Sequence, residues 1–292
     1  MQIGTILPAD ESADAPASWV RVRDFALTAE QGGLDSVWLF DHVFHESRTR
    51  RTGMLEAWTT LSALAVATHT VRLGTLVLCS PFRNPVLVAK MAATADEVSG
   101  GRLILGLGAG WHDPEFAALG IPTGHRVDRF AEALPIITAL LRGETVTVDG
   151  EHHELRAAEL LPAPTRRVPV LVAAFGPRML RLTARYADAW NTAWYGAPDE
   201  ELRVALADMR VALEAADRDP ASMSTTVGLV LHDPGSSVPS EAGSPVISGS
   251  VDEVARILDE YRALGVDQVM VQPHPHTPRT LERLIAARAL TG

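Results

Sequence analysis

Val37-Trp38-Leu39-Phe40-Asp41-His42 is a run of four bulky β-forming residues that stops on a titratable pair. A short apolar run of this kind fits a buried strand. Two later stretches repeat the arrangement. Gly74-Thr75-Leu76-Val77 leads on to Arg83-Asn84-Pro85, and Leu105-Gly106-Leu107-Gly108-Ala109-Gly110-Trp111 ends in bare backbone. In each, an apolar β-run stops and a loop begins. Parallel barrels keep their chemistry at that end of the strand.

Outward from these stretches, β-rich runs alternate with helical patterns along almost the whole chain. Strands are predicted at Gln2–Leu7, Ser36–Phe40, Val71–Leu78, Arg102–Leu107, Val168–Ala173, Ala187–Asn191, Thr225–Leu231 and Gln268–Gln272. Helices are predicted at Ser18–Gln31, Glu56–Thr68, Pro85–Val98, Val127–Arg142, Pro177–Tyr186, Pro198–Ala216, Val251–Leu264 and Pro278–Leu290. Helix Val251–Leu264 has both ends marked, by Ser250 as N-cap and Gly265 just past its end. Eight βα units predict an α/β chain closed into a (β/α)8 TIM barrel. An open doubly wound sheet would carry a glycine loop after its first strand, where this chain has Ile6-Leu7-Pro8-Ala9-Asp10.

Asp149-Gly150, between two alternating runs, predicts a hairpin standing out from the barrel. The turn-rich stretch Asp233–Ser250 predicts a loop over the mouth. Gly74-Thr75 followed by Ser80-Pro81 predicts a bulge or kink in the third strand. No repeat stands out beyond the βα alternation, so residues 1–292 read as a single barrel domain with small insertions.

Composition limits the function classes. At 292 residues, 47% hydrophobic and 21% charged, the chain can bury a core and is not of disordered type. A formal net charge of −10 argues against a nucleic-acid or anionic-membrane surface. The single Cys79 rules out an internal disulfide and a thiolate metal cage. With no signal-peptide pattern at the start and no run near ~18 apolar residues, a cytoplasmic protein is expected.

Asp41-His42 is the sharpest chemical candidate: His42 as general acid or base, Asp41 orienting it or charging the site. The bland alternative is an Asp that caps the next segment and a His satisfied by backbone. Gly106–Gly110 does not match the Gly-x-Gly-x-x-Gly dinucleotide spacing, but bare backbone there lets a ring or phosphate approach closely. Ala173-Ala174-Phe175-Gly176-Pro177 offers a second small-residue platform before a helix N-terminus, which favours anions. Packing alone would also account for either. Asp96 and Ser99-Gly100-Gly101-Arg102 fall at the opposite end of the fourth strand and read as stability. His232 and His274 fall at strand ends, yet strand one ends without a His-x-His, so no metal is expected.

Taken with Tyr186-Ala187-Asp188-Ala189-Trp190-Asn191, these motifs resemble the bacterial luciferase-like monooxygenase superfamily, and within it the branch that uses the deazaflavin coenzyme F420. The resemblance covers nearly the whole chain and is strongest over residues 35–115 and 168–192. It implies a cofactor ring in the barrel mouth with Asp41 and His42 beside it. It also implies a non-proline cis peptide at Leu76–Val77 behind the ring. Gly108, Ala109, Gly110, Ala174, Phe175, Gly176 and Pro177 would then line the ring and its ribityl phosphate chain.

The deazaflavin-dependent glucose-6-phosphate dehydrogenases of that branch carry an acid where this chain has Trp111, and an aromatic where it has Glu46. Sugar-phosphate oxidation is therefore not expected, and Trp111 and Glu46 become candidates to contact a small-molecule substrate. The reading is an F420-dependent oxidoreductase. Its alternatives are a reduced-FMN monooxygenase fed by a separate flavin reductase and a non-catalytic flavin-binding barrel. An F420 tail would want a basic outward path, for which Arg48, Arg50 and Arg51 in the loop after strand two are candidates, the plain alternative being a solvated charge run. The apolar faces of Glu56–Thr68 and Pro85–Ala95, and the habit of the family, lead us to expect a homodimer.

Overall fold

The computed structural model describes residues 1–11, 16–46, 51–238 and 245–291, with Glu46 described by its backbone alone. The elements in the first half are β1 (Gln2–Ile6), α1 (Trp19–Gln31), β2 (Ser36–Leu39), β3 (Phe44–Glu46), β4 (Arg51–Gly53) and α2 (Ala57–Ala67). They continue with β5 (Arg72–Thr75), β6 (Leu78–Cys79), α3 (Pro85–Ser99), β7 (Leu103–Gly108), α4 (Asp113–Ala118) and α5 (Arg126–Leu141). Then come β8 (Val146–Asp149), β9 (Glu154–Ala158), β10 (Val170–Ala173), α6 (Gly176–Tyr186), β11 (Ala189–Tyr195) and α7 (Glu200–Ala215). The chain closes with β12 (Ser224–His232), α8 (Val251–Ala263), β13 (Gln268–His274) and α9 (Pro278–Leu290).

Strands β1, β2, β5, β7, β10, β11, β12 and β13 pair in parallel in that order, and β13 returns to β1. This is the closed eight-stranded barrel that the βα alternation predicts. The expected hairpin is β8 against β9, with Asp149 opposite Glu154. Helix ends follow local chemistry. Asn84 accepts the Val86 and Leu87 amides ahead of α3, Gly100 ends it at φ 71°, and Ser250 and Glu253 form a reciprocal capping box on α8. Among the described residues no helix is long and apolar enough to cross a membrane.

The third predicted strand is interrupted where a bulge or kink is expected, into β5 and β6, and the Leu76–Val77 peptide between them is cis, as the resemblance implies; a second non-proline cis bond, Ala193–Trp194, lies in β11. Gly74 itself serves packing rather than a bend. Trp38 fills the barrel interior, fully buried, and a Cβ on Gly74 would sit 2.1 Å from its ring. Ile6, Trp38, Leu76, Ile104, Leu171, Ala189 and Met270 form this inner cluster, while the larger core lies between strands and helices.

A repeated device missed in the sequence closes the N-terminal end of the barrel. Asp35, Asp188 and Asp267 each precede a strand, and each carboxylate accepts an amide from the first two residues of the strand before it: Ile3, Val170 and Thr225 at 2.8–2.9 Å. Arg102 clamps the same end. Its guanidinium donates to the carbonyls of Ala65, Thr68, Val71 and Ser99 and to the Thr68 hydroxyl.

Candidate active site

At the C-terminal end of the strands lies a cavity of about 460 Å³, within the size range of small-molecule sites. Strand β2 delivers Asp41 and His42 to it, the split between β5 and β6 delivers Leu76 and Val77, and β7 leads to Gly110 and Trp111. Phe175, ahead of α6, and Asn191 and Trp194 of β11 complete the far side.

His42 is the centre of this wall. Its Nδ1 lies 2.7 Å from Oε2 of Glu115, a side chain only 2% exposed on α4. The other oxygen of that carboxylate accepts the amides of Val43 at 2.5 Å and Phe44 at 3.3 Å. Burial pushes the Glu115 carboxyl up, but the His42 ring and the two amides outweigh it and hold the group below the usual carboxylate range. The rings of Phe40, His45, Trp111 and His112 stand around His42 at centroid distances of 5.7–6.5 Å.

Asp41 does not orient His42. Its two oxygens accept the fork of Arg83 at 2.7 and 2.9 Å, and one also accepts the Cys79 amide at 2.8 Å. Asp41 is buried and Arg83 half-buried, and Arg83 donates further to Glu56, the N-cap of α2. A bidentate ion pair of this kind holds both partners in one geometry. Asp41 therefore ties the β2 loop to the β6 loop, and the imidazole is oriented from 73 residues away instead. The neighbouring thiol of Cys79 is pushed up by burial and by the charges of Asp41 and Glu115, so it stays protonated and is no nucleophile.

The other expected residues divide. Leu76, Val77, Gly110, Trp111 and Phe175 border the cavity, with Trp111 on the rim at 64% exposure. Gly110 is demanded twice: φ is +78°, and a Cβ would lie 2.6 Å from Cys79 Sγ. Gly108 faces Val77 rather than the cavity, and Ala174 is buried with its carbonyl accepting the Trp190 indole N–H. Gly176 and Pro177 form the exposed start of α6, where Phe175 at the N-cap offers no side-chain acceptor. Ala109 packs partly against the core. The Glu46 side chain, Arg48 and Arg50 lie outside the described residues, as does the 239–244 segment of the expected mouth loop. Arg51 stands over the Phe44 ring at 4.2 Å.

Glu115 and His45 were not found in the sequence. One residue in a six-residue helix four positions after Trp111 carries no spacing signal, and β3 and β4 are three-residue strands too short to show a period. Among the described residues no group of three or more metal-ligating side chains occurs.

Known proteins resemble this chain in sequence and fold. The family model for luciferase-like monooxygenases matches residues 1–232. An F420-dependent glucose-6-phosphate dehydrogenase of Kineococcus radiotolerans is 34% identical over 72% of this chain and 63% of its own length. A 5,10-methylenetetrahydromethanopterin reductase of Methanolobus tindarius is 31% identical over 69% of this chain and 58% of its own. The chain thus spans less than two thirds of these curated relatives. An F420-dependent secondary alcohol dehydrogenase, solved with an F420-acetone adduct, superposes with a TM-score of 0.82. That match covers 98% of this chain and 97% of the other at 20% identity, a likeness of fold. By the residues its family model matches, and with the closed barrel described above, the chain belongs to the luciferase-like monooxygenase family.

Proposed function

We propose that the chain is an F420-dependent oxidoreductase that moves a hydride between the deazaflavin and an organic substrate, with His42 transferring the accompanying proton. The observation that carries the reading is the His42–Glu115 contact at the wall of the mouth cavity, facing bare backbone and apolar side chains. Relatives named as F420-dependent dehydrogenases support the choice of cofactor.

The residues fit such a group. Leu76 and Val77 offer an apolar backing, Gly110 leaves room beside Cys79, and the uncapped start of α6 at Gly176 presents amides suited to a phosphate. Bound there, the deazaflavin supplies two-electron hydride chemistry. The protein's tasks are to seat the ring, hold the substrate and move a proton at His42. Trp111 and His45 stand next to His42 and would flank the substrate.

The cavity's charge bears on substrate class. Its described lining contains Asp10, Glu11, Asp41 and Glu115 and no Lys or Arg. Arg83 is engaged with Asp41 and Glu56. The described lining therefore offers a phosphorylated substrate no unengaged cation, which favours uncharged ones.

Titrating the purified protein with F420 and with FMN, followed by absorbance and fluorescence, tests the cofactor. Saturable F420 binding with FMN weaker by at least tenfold is expected. Preference for FMN would replace this reading with the reduced-FMN monooxygenase.

A further inference from the structure

We propose that Glu115 is a positioning residue for the proton transfer: it holds His42 as the Nδ1–H tautomer and so presents Nε2 to the cavity. This rests on the reading of His42 as the proton-transfer group. An ionised carboxylate can only accept hydrogen bonds. The ring nitrogen 2.7 Å from it must therefore be the donor.

The carboxylate has little freedom to do otherwise. Oε1 is engaged by the Val43 and Phe44 amides, Oε2 by the imidazole, and the side chain is buried. Among the described residues no other hydrogen-bond partner of the ring occurs. Asp41, adjacent in sequence, faces Arg83 and the Cys79 amide. Phe40, Trp111, His45 and His112 meet His42 edge-on. The same carboxylate that bonds the ring also bonds the two residues after it, so ring and loop are set together.

The chemical consequence is directional. Neutral His42 offers its lone pair at Nε2. When a substrate X–H proton moves there, the X–H bond breaks, the Nε2–H bond forms and the electron pair stays on X. The imidazolium so formed faces a carboxylate that stabilises it, and the reverse step returns the proton.

The test is the Glu115→Gln protein, read first without cofactor by 15N NMR of the histidine rings at a pH where His42 is neutral. Glutamine can still accept the Val43 and Phe44 amides through its oxygen, which leaves its NH2 toward the ring. An NH2 only donates, so Nδ1 must give up its proton and the tautomer should invert. A ring that keeps Nδ1–H in Glu115→Gln, or that lacks it in the wild type, overturns the proposal.

In the loaded enzyme, kcat for Glu115→Gln should fall by roughly 10²–10⁴-fold, the scale of a wrong-tautomer effect in a hydrogen-bonded triad, while KM moves little. Full kcat with an inverted ring would overturn the positioning role. If Glu115 only braced the loop, Glu115→Gln would match wild type in rate and only Glu115→Ala would lose stability. Because the tautomer is read without cofactor, its outcome is independent of whether the F420 reading stands.

Discussion

Glu30 at the base of the barrel and Glu115 at its mouth are the same device in two settings. Glu30, in α1, accepts the amides of His69, Thr70 and Val71 and the Thr70 hydroxyl, and so pins the loop that enters β5. Glu115, in α4, accepts the amides of Val43 and Phe44 and, in the third place, the ring of His42. Glu132 of α5 repeats the base pattern on the amides of Glu151, His152 and His153. Where all donors are fixed N–H or O–H groups, the carboxylate only fastens chain to chain. Where one donor can gain or lose a proton, the same fastening acts on chemistry. The base of the barrel is built from the first kind, reinforced by Asp35, Asp188, Asp267 and Arg102.

The largest effect should come from the mouth. Replacing His42 by Ala is expected to lower single-turnover hydride transfer by roughly 10²–10⁴-fold, with cofactor affinity changing much less. Near-wild-type transfer would break the contrast and move suspicion to His112, or to Glu46.

At the base the signs reverse. Arg102→Ala strips hydrogen bonds from four carbonyls and one hydroxyl near the starts of β5 and β7. Denaturant unfolding should register a loss of about 2–4 kcal/mol, while turnover per folded molecule stays at the wild-type level. A drop in turnover of the order seen for His42→Ala would mean that the two ends are not separable.

The smallest effect sharpens the comparison of the two glutamates. Glu30→Gln keeps an acceptor for the 69–71 amides, so a loss of about 1 kcal/mol or less is expected. For Glu30 too, burial pushes the carboxyl up and the loop amides outweigh it; both glutamates therefore lie below the ordinary 4.5. Carboxyls lowered on folding contribute stability that is complete above that value and lost as pH falls through the lowered ones. Glu30→Gln should thus be less acid-sensitive than wild type in urea unfolding, with activity intact. An unchanged acid limb would remove Glu30 from this account.

Much of the fold was legible because its signals are local. Eight β-runs alternate with helical periods, and Ser250, Asn84, Gly100 and Gly265 mark helix ends through backbone preferences that neighbouring residues express. Asp41-His42 was legible as the end of a strand. What could not be read were couplings with no local imprint. Trp38 needs the space left by Gly74, Arg83 takes Asp41 across 42 residues, and Glu115 reaches His42 across 73. The repeated Asp before a strand was overlooked for the same reason, since its partner amide belongs to the preceding strand.

By itself, then, the sequence determined the barrel, its working end and the imidazole placed there, because periodicity, capping and strand-end chemistry act between near neighbours. The tertiary structure alone decided which carboxylate serves that imidazole. Barrel closure brings the β2 loop against α4, and there a buried carboxylate must find donors or lose its charge. It finds them in Val43, Phe44 and His42, while Arg83 leaves Asp41 nothing to share.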